Sequence, residues 1–200
     1  WRQLCLIAAN TFSGPGLRRE RMAILQRLAG DTGETCNTAM PQGDAMVYVD
    51  RVETHWPLRI RLPIGTQVPL HCTAAGKTYL STLPQPQFAR LLRRLPLTAQ
   101  TSRSITSAEG LAEEIALVRD RGYAEDDEEM IEGMIALAVP IRDDQGRFFG
   151  TVSFHAPKLR LDLEQSQEEI SHRIVAQAIE KQLANWQLPP SPAVDARETV

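Results

Sequence analysis

The residues best placed to do chemistry lie in Pro69-Leu70-His71-Cys72-Thr73-Ala74-Ala75-Gly76-Lys77-Thr78-Tyr79-Leu80. Thr73 offers an N-cap oxygen, three side-chain-poor residues follow, and Thr78-Tyr79-Leu80 continues as an amphipathic helix. The first N–H groups of a helix lack intrahelical acceptors and carry a fractional positive charge, so a bare start can seat a carboxylate or phosphate. Small residues there also suit a tightly packed neighbour, and the stretch alone leaves both causes open. His71 beside Cys72 has the residue types of a Cys–His nucleophile, but neighbours on a strand point to opposite faces. His71, Cys72, Cys36 and His155 are of zinc-binding type, yet their spacing matches no recognised ligand pattern. No catalytic residue, no metal and no cofactor are therefore expected. Asp126 to Glu129 is a run of four acids, which by charge alone is a solvated turn, and Ser153 in an apolar strand suits an internally bonded core hydroxyl.

Around these residues, 200 positions with a net charge of −3 describe a mixed-charge chain able to bury a real core. No basic stripe is dense enough to be a nucleic-acid footprint, so this polypeptide by itself is not expected to grip DNA phosphates. Three widely spaced cysteines, Cys5, Cys36 and Cys72, argue against a disulfide framework and for a reducing, cytoplasmic setting. No apolar run approaches the roughly 20 residues of a membrane span. The chain opens Trp1-Arg2 with no signal-peptide pattern, which is what an excised piece of a longer protein would show.

The elements that must position the candidate residues follow in order. Residues 1–16 read as the end of a helix arriving from upstream, broken at Ser13-Gly14-Pro15-Gly16. Leu17 to Ala29 puts Leu17, Ile24, Leu25 and Leu28 on one face, with Arg18, Arg19, Glu20, Arg21 and Arg27 outside. Thr35 to Met40 and Ala45 to Val52 form a hairpin around Pro41-Gln42-Gly43-Asp44, and Leu58 to Leu62 alternates as a half-buried strand. After the helix that stops before Pro84, Gln87 to Leu95 gives a short helix. Thr106-x-x-Glu109 has the spacing of a capping box for a helix running to Gly122. A short acidic strand or turn from Tyr123 to Glu129 precedes strands Ala136 to Arg142 and Phe148 to Phe154, joined at Asp143-Asp144-Gln145-Gly146. A last helix from near Asp162 ends by Trp186, and residues 187–200 form a polar, proline-rich tail. Consecutive hairpins with segregated helices give an α+β domain with a central antiparallel sheet flanked by helices, over residues 17–186. GxGxxG, GxxxxGK[ST], HExxH and CxxC motifs are all absent.

Three ordered stretches resemble one family. Leu62-x-x-Gly65-x-x-Val68-Pro69-Leu70-His71-Cys72-Thr73-Ala74-Ala75-Gly76-Lys77, then Arg119-x-Arg121-Gly122-Tyr123-x-x-Asp126-Asp127-Glu128-Glu129-x-x-x-Gly133, then Ala138-Val139-Pro140-Ile141 with Gly150-x-Val152-Ser153, are similar to the ligand-binding domain of IclR-family bacterial transcription regulators. The similarity runs from about Leu17 to Leu183. It implies a GAF-like effector-binding domain that follows an N-terminal winged helix-turn-helix, assembles as a homodimer or homotetramer, and reaches DNA only through that missing domain. It also implies a small organic acid or aromatic metabolite as effector. The anion would sit on the N–H groups of Ala74 and Ala75, near Gly76, with Asp126 accepting from a hydroxyl or hydrate and Ser153 donating to the carboxylate. Ile60, Val68, Met134 and Ala136 would form the walls. Two positions depart from the pattern: Ala74 stands where glycine is frequent, and His155 where a small hydroxyl residue or glycine is common. If His155 points inward, it pairs with a second group or narrows the pocket. Lys77 would face solvent or the acidic segment. An enzyme using Asp126 or His155 as base on a small acid, and a ligand-free oligomerisation module, are the competing functions.

Overall fold

The computed structural model describes residues 15–56, 62–142 and 146–160. A long helix α1 (Pro15–Thr32) opens it, followed by strands β1 (Thr35–Gln42), β2 (Ala45–Val52) and β3 (Gln67–Pro69). Helices α2 (Ala74–Thr82), α3 (Gln85–Leu92) and α4 (Ala108–Arg121) come next, then strands β4 (Ala124–Asp127), β5 (Met134–Arg142) and β6 (Phe148–Pro157). The six strands form one antiparallel sheet in the order β3-β2-β1-β6-β5-β4, so that the first long strand pairs with the last. This is the expected α+β architecture, a central antiparallel sheet with helices on its faces.

Alternation along the strands sorts side chains onto two faces. Cys36, Leu137, Val139, Val152 and Phe154 pack with Leu25 and Leu28 of α1. The opposite face carries Ala39, Met46, Tyr48 and Val68, which pack with Ala75 and Leu80 of α2, Phe88 of α3 and Leu111 and Ile115 of α4. Ala74 rests on Ala136 and Ala138.

Several sequence expectations need correction. Arg21 does not lie outside α1: it is buried and its Nε donates to Asp50 Oδ2 at 2.5 Å, with the Thr38 hydroxyl on the same oxygen at 3.2 Å. The α4 cap is Ser107 rather than Thr106, because the Ser107 hydroxyl accepts from Gly110 N–H at 3.0 Å; a Ser in the next position simply offers the same oxygen in the right register. The helix ends where expected, at Gly122 with φ 86°. The supposed strand from Leu58 falls largely outside the described residues, as do the Asp143-Asp144-Gln145 turn, the final helix and both chain ends.

Candidate functional site

The cap of α2 forms as its residue types dictate. Thr73 Oγ1 donates to Pro69 C=O at 2.6 Å and accepts from Gly76 N–H at 3.1 Å, while Lys77 N–H bonds the Thr73 carbonyl at 2.9 Å. The amides of Ala74 and Ala75 are thus the ones a helix start leaves for an outside acceptor. The small triplet also serves packing. A Cβ on Gly76 would stand 2.4 Å from Leu70 Cα, and Ala74 and Ala75 are buried against the sheet and the neighbouring helices. Lys77 is buried too, paired with Glu129 and, at 3.3 Å, with Glu114, which in turn holds Arg121 at 2.8 Å. Of the two directions open to Lys77, it takes the one toward the acidic segment.

Antiparallel pairing places directly opposed residues on the same face, in rows that cross the sheet. One row reads Asp126, Ala136, His155, Thr35 from β4 to β1. The next reads Ala124, Ala138, Ser153, Asn37, Arg51 from β4 to β2, and the third Pro140, Thr151, Ala39, Tyr48. Four of the expected site residues, Asp126, Ala136, Ser153 and His155, therefore lie in two adjacent rows beneath the start of α2.

Above the first row is a narrow cleft lined by Tyr48, Leu62, Thr73, Asp126, Met130, Ile131, Met134, Ile135 and His155. Apolar walls with a few convergent polar groups are the usual make-up of a small-ligand site. Asp126 Oδ1 accepts from Glu129 N–H at 2.8 Å and Met130 N–H at 3.2 Å, which leaves its other oxygen for the cleft. Burial, reinforced by the Glu129 charge and only partly offset by those two N–H groups and Lys77, pushes the Asp126 carboxyl up to about 7. His155 lines the cleft, and its Nε2 lies 3.4 Å from Tyr48 Oη. Burial holds the imidazole down to about 3, with the nearby Arg51 charge acting in the same direction, so the ring is neutral. The acidic turn is braced from outside: Glu128, at φ 61°, and Asp127 hold Lys158 at 2.8 and 2.7 Å, and Arg103 pairs with Asp127.

The remaining expected residues fall elsewhere. Val68 is in the core on β3, with two strands between it and β6, and Ile60 lies outside the described residues. Ser153 is fully buried and is not part of the cleft lining, and its hydroxyl has no hydrogen-bond partner among the described residues. Cys36 faces α1, on the side of the sheet away from His155, and His71 Nε2 is 3.0 Å from Thr98 C=O while Cys72 Sγ approaches Met130 Sδ at 3.9 Å. Burial, with carboxylates near it, raises the Cys72 thiol to about 12, the opposite of an activated nucleophile.

Sequence reasoning missed Tyr48, Asn37 and Arg51. Arg51 Nη1 donates to Asn37 Oδ1 at 2.9 Å, one strand from Ser153, and the Arg51 side chain is only 5% exposed. An alternating pattern flags such residues as strand positions, but their partners become known only with the register.

Comparison with known proteins agrees with this fold. SauR of Cupriavidus necator, named as a transcriptional regulator, is 45% identical over 159 residues, 80% of this chain and 63% of SauR. The crystal structure of Thermotoga maritima IclR superposes with a TM-score of 0.77 at 25% identity, over 91% of this chain and 72% of that one. The inducer-binding domain of an Acinetobacter PobR double mutant, in complex with 3-hydroxybenzoic acid, has the same fold, with a TM-score of 0.70 at 24% identity over 81% and 92% of the two chains. The chain spans between about half and just under two thirds of the length of the regulators it matches. With residues 10–181 matching the model of the bacterial transcriptional regulator IclR C-terminal domain, and the sheet and cleft built as described, the chain belongs to the IclR family, as its effector-binding domain.

Proposed function

We propose that this domain, over residues 17–186, senses a small carboxylated metabolite for a cytoplasmic, DNA-binding transcription regulator, and that it performs no chemistry on that metabolite. The carrying observation is the cleft under the start of α2, where Asp126 and His155 share one row of the sheet and Thr73 caps the helix above them. The effector's carboxylate is assigned to Ser153, buried one row beyond the cleft lining, and to the amides of Ala74 and Ala75 at the start of the helix above. Asp126, held on one oxygen by two backbone donors, takes a ligand hydroxyl with the other. The neutral His155 and the buried, high-pKa Cys72 offer no strong base or nucleophile for an enzyme. A small carboxylate is also what the PobR domain of like fold is seen to hold, although at that identity the likeness speaks to the fold.

DNA contact belongs to a preceding winged helix-turn-helix, reached through the segment up to residue 16, and the regulator works as a homodimer or homotetramer. The effector acts by favouring one quaternary arrangement over another, which requires unequal affinity for the two. No described helix is long and apolar enough to cross a membrane. Calorimetry of Asp126→Asn and Ser153→Ala against a panel of metabolic acids tests the site. Each substitution is expected to weaken binding about 10-fold or more, as loss of one buried charged or polar contact does. Unchanged affinity in both variants would overturn the assignment.

A further inference from the structure

Three features of the sheet face coincide at one place. Tyr48 opposes Ala39 on β1, and His155 opposes Thr35 on the same strand. A straight line from Tyr48 on β2 to His155 on β6 therefore crosses β1 at the position midway between, which is Asn37. The Tyr48–His155 hydrogen bond runs diagonally, two strand spacings or roughly 10 Å across the sheet and four residues or roughly 13 Å along it, and so bridges over Asn37 and its neighbour Ser153. Both side chains under the bridge are fully buried, and both hold an atom with no partner among the described residues: Asn37 Nδ2 and Ser153 Oγ.

The orientation of Asn37 follows from its neighbour's chemistry. A guanidinium has donors only, so the amide oxygen must face Arg51 Nη1, which directs the NH₂ group away from it. Burying a donor without an acceptor is costly, and native structures do so rarely. A pair of such groups in register, beside an arginine whose Nε also pairs with the exposed Glu53 at 3.2 Å, and one layer beneath the cleft, has the composition of an acceptor site closed by a lid.

We propose that the effector's carboxylate seats beneath the Tyr48–His155 bridge, on Asn37 Nδ2 and Ser153 Oγ with Arg51 as its counter-charge, and that binding opens the bridge. This rests on the effector-binding reading above and adds the direction from which the acid is recognised. Ala74 at the helix start packs on Ala138, the residue directly opposite Ser153, so the helix start stands beside the same row of the sheet. At 3.4 Å the bridge is long for a hydrogen bond to a hydroxyl, which keeps the cost of opening it low. The carboxylate accepts, and the Asn37 amide, already donated to by Arg51, is polarised to give.

The test uses this chain and matched probes: glycolate, benzoate and 3-hydroxybenzoate against the corresponding uncharged amides. Acids are expected to bind at least 10-fold more tightly than their amides. Asn37→Asp, which replaces the donor by an acceptor that Arg51 can still hold, should remove that preference, as should Arg51→Gln. Tyr48→Phe, which removes the bridge, should bind the acids at least as tightly as the unmodified chain. In NMR spectra, the His155 ring resonances should move on saturation with an acid. Ser153→Ala should leave the melting temperature of the ligand-free chain unchanged or raise it, which guards against reading a folding defect as a binding one. Equal affinity for acid and amide, an undiminished preference in Asn37→Asp, or unmoved His155 resonances would each overturn the proposal. If Asp126→Asn still weakens the probes in that case, the effector cleft stands without the lid; if no probe saturates the unmodified chain, both fall.

Discussion

Asp126 shapes the turn through Glu129 and Met130 N–H, and in the proposed site it also meets the ligand. Its elevated pKa makes the stability of the fold depend on pH. The folded value of about 7 lies above the unfolded value near 3.8, so the fold prefers the protonated acid. That preference is present in full below the unfolded pKa and is lost as pH rises from about 4 to about 7, after which the loss is constant. The difference between the two values is worth about 4 kcal/mol, taken as a ceiling for a group coupled to Glu129 and Lys77. Urea unfolding at pH 5 and pH 8 should show the unmodified chain weakening toward the higher pH, with the drop much reduced in Asp126→Asn, which cannot ionise. An equal drop in both would assign the dependence to other groups. Legibility in the sequence divides along the same line. Asp126 stood out through the spacing of a familiar segment, whereas Asn37 and Arg51 are an ordinary polar pair on different strands, and nothing in one strand records what lies across from it.

At the scale of elements, α2 shows that tight packing and the helix start proposed for the effector are compatible. Gly76 is required because the Leu70 backbone passes beneath it, and that close approach is what sets the helix start over the Ala136–Ala138 strip. Gly76→Ala would force its Cβ into Leu70 backbone atoms, which cannot yield as a flexible side chain does. The expected destabilisation is about 1–3 kcal/mol by overpacking, read as a lower urea midpoint, with weaker effector binding as α2 is displaced. A neutral result would mean that Leu70 moves freely and the helix start is not anchored. The element boundaries were largely readable from caps and breakers: Thr73, Gly122 and the Gly43 turn all lie where their conformational preferences put them. The one-residue slip at Ser107 shows the limit of that method, since Thr106 and Ser107 carry equivalent hydroxyls and only the helix itself selects between them. Lys77 marks another. A lysine one residue past three small ones gives no sign that it will be buried, because its partners Glu114 and Glu129 come from α4 and from the turn after β4.

For the molecule as a whole, the sheet order brings the ends of the domain together at β1 and β6, and it is this closure that assembles the two rows of the site. Alternation told which residues share a face of one strand, but the rows depend on register, including the irregularity in β1–β2 pairing between Thr38 and Ala39. That irregularity lies beside Asp50 and Arg51, consecutive residues that point to opposite faces. Arg51 serves the polar pair under the cleft, and Asp50 receives Arg21 of α1. Strand β2 thus touches the proposed effector seat on one side and the helix nearest the upstream segment on the other. The strength of the second contact can be measured by itself. Arg21→Met leaves Asp50 buried at 1% exposure, with the Thr38 hydroxyl on one oxygen and the exposed Arg18 3.8 Å from the other, so the loss should approach about 3–5 kcal/mol, the cost of removing one partner from a buried ion pair. Adding Asp50→Leu removes the stranded charge, so the double variant should regain most of the lost stability, because a well-packed apolar pair often equals a buried ion pair. Urea denaturation of the two singles and the double closes the cycle. Hydrogen exchange adds the location: amides of α1 should lose protection in Arg21→Met while those of β5 and β6 keep theirs. A small cost in the single variant, or protection lost evenly through the sheet, would show that α1 is held by Leu25 and Leu28 alone and that β2 does not tie the helix to the site.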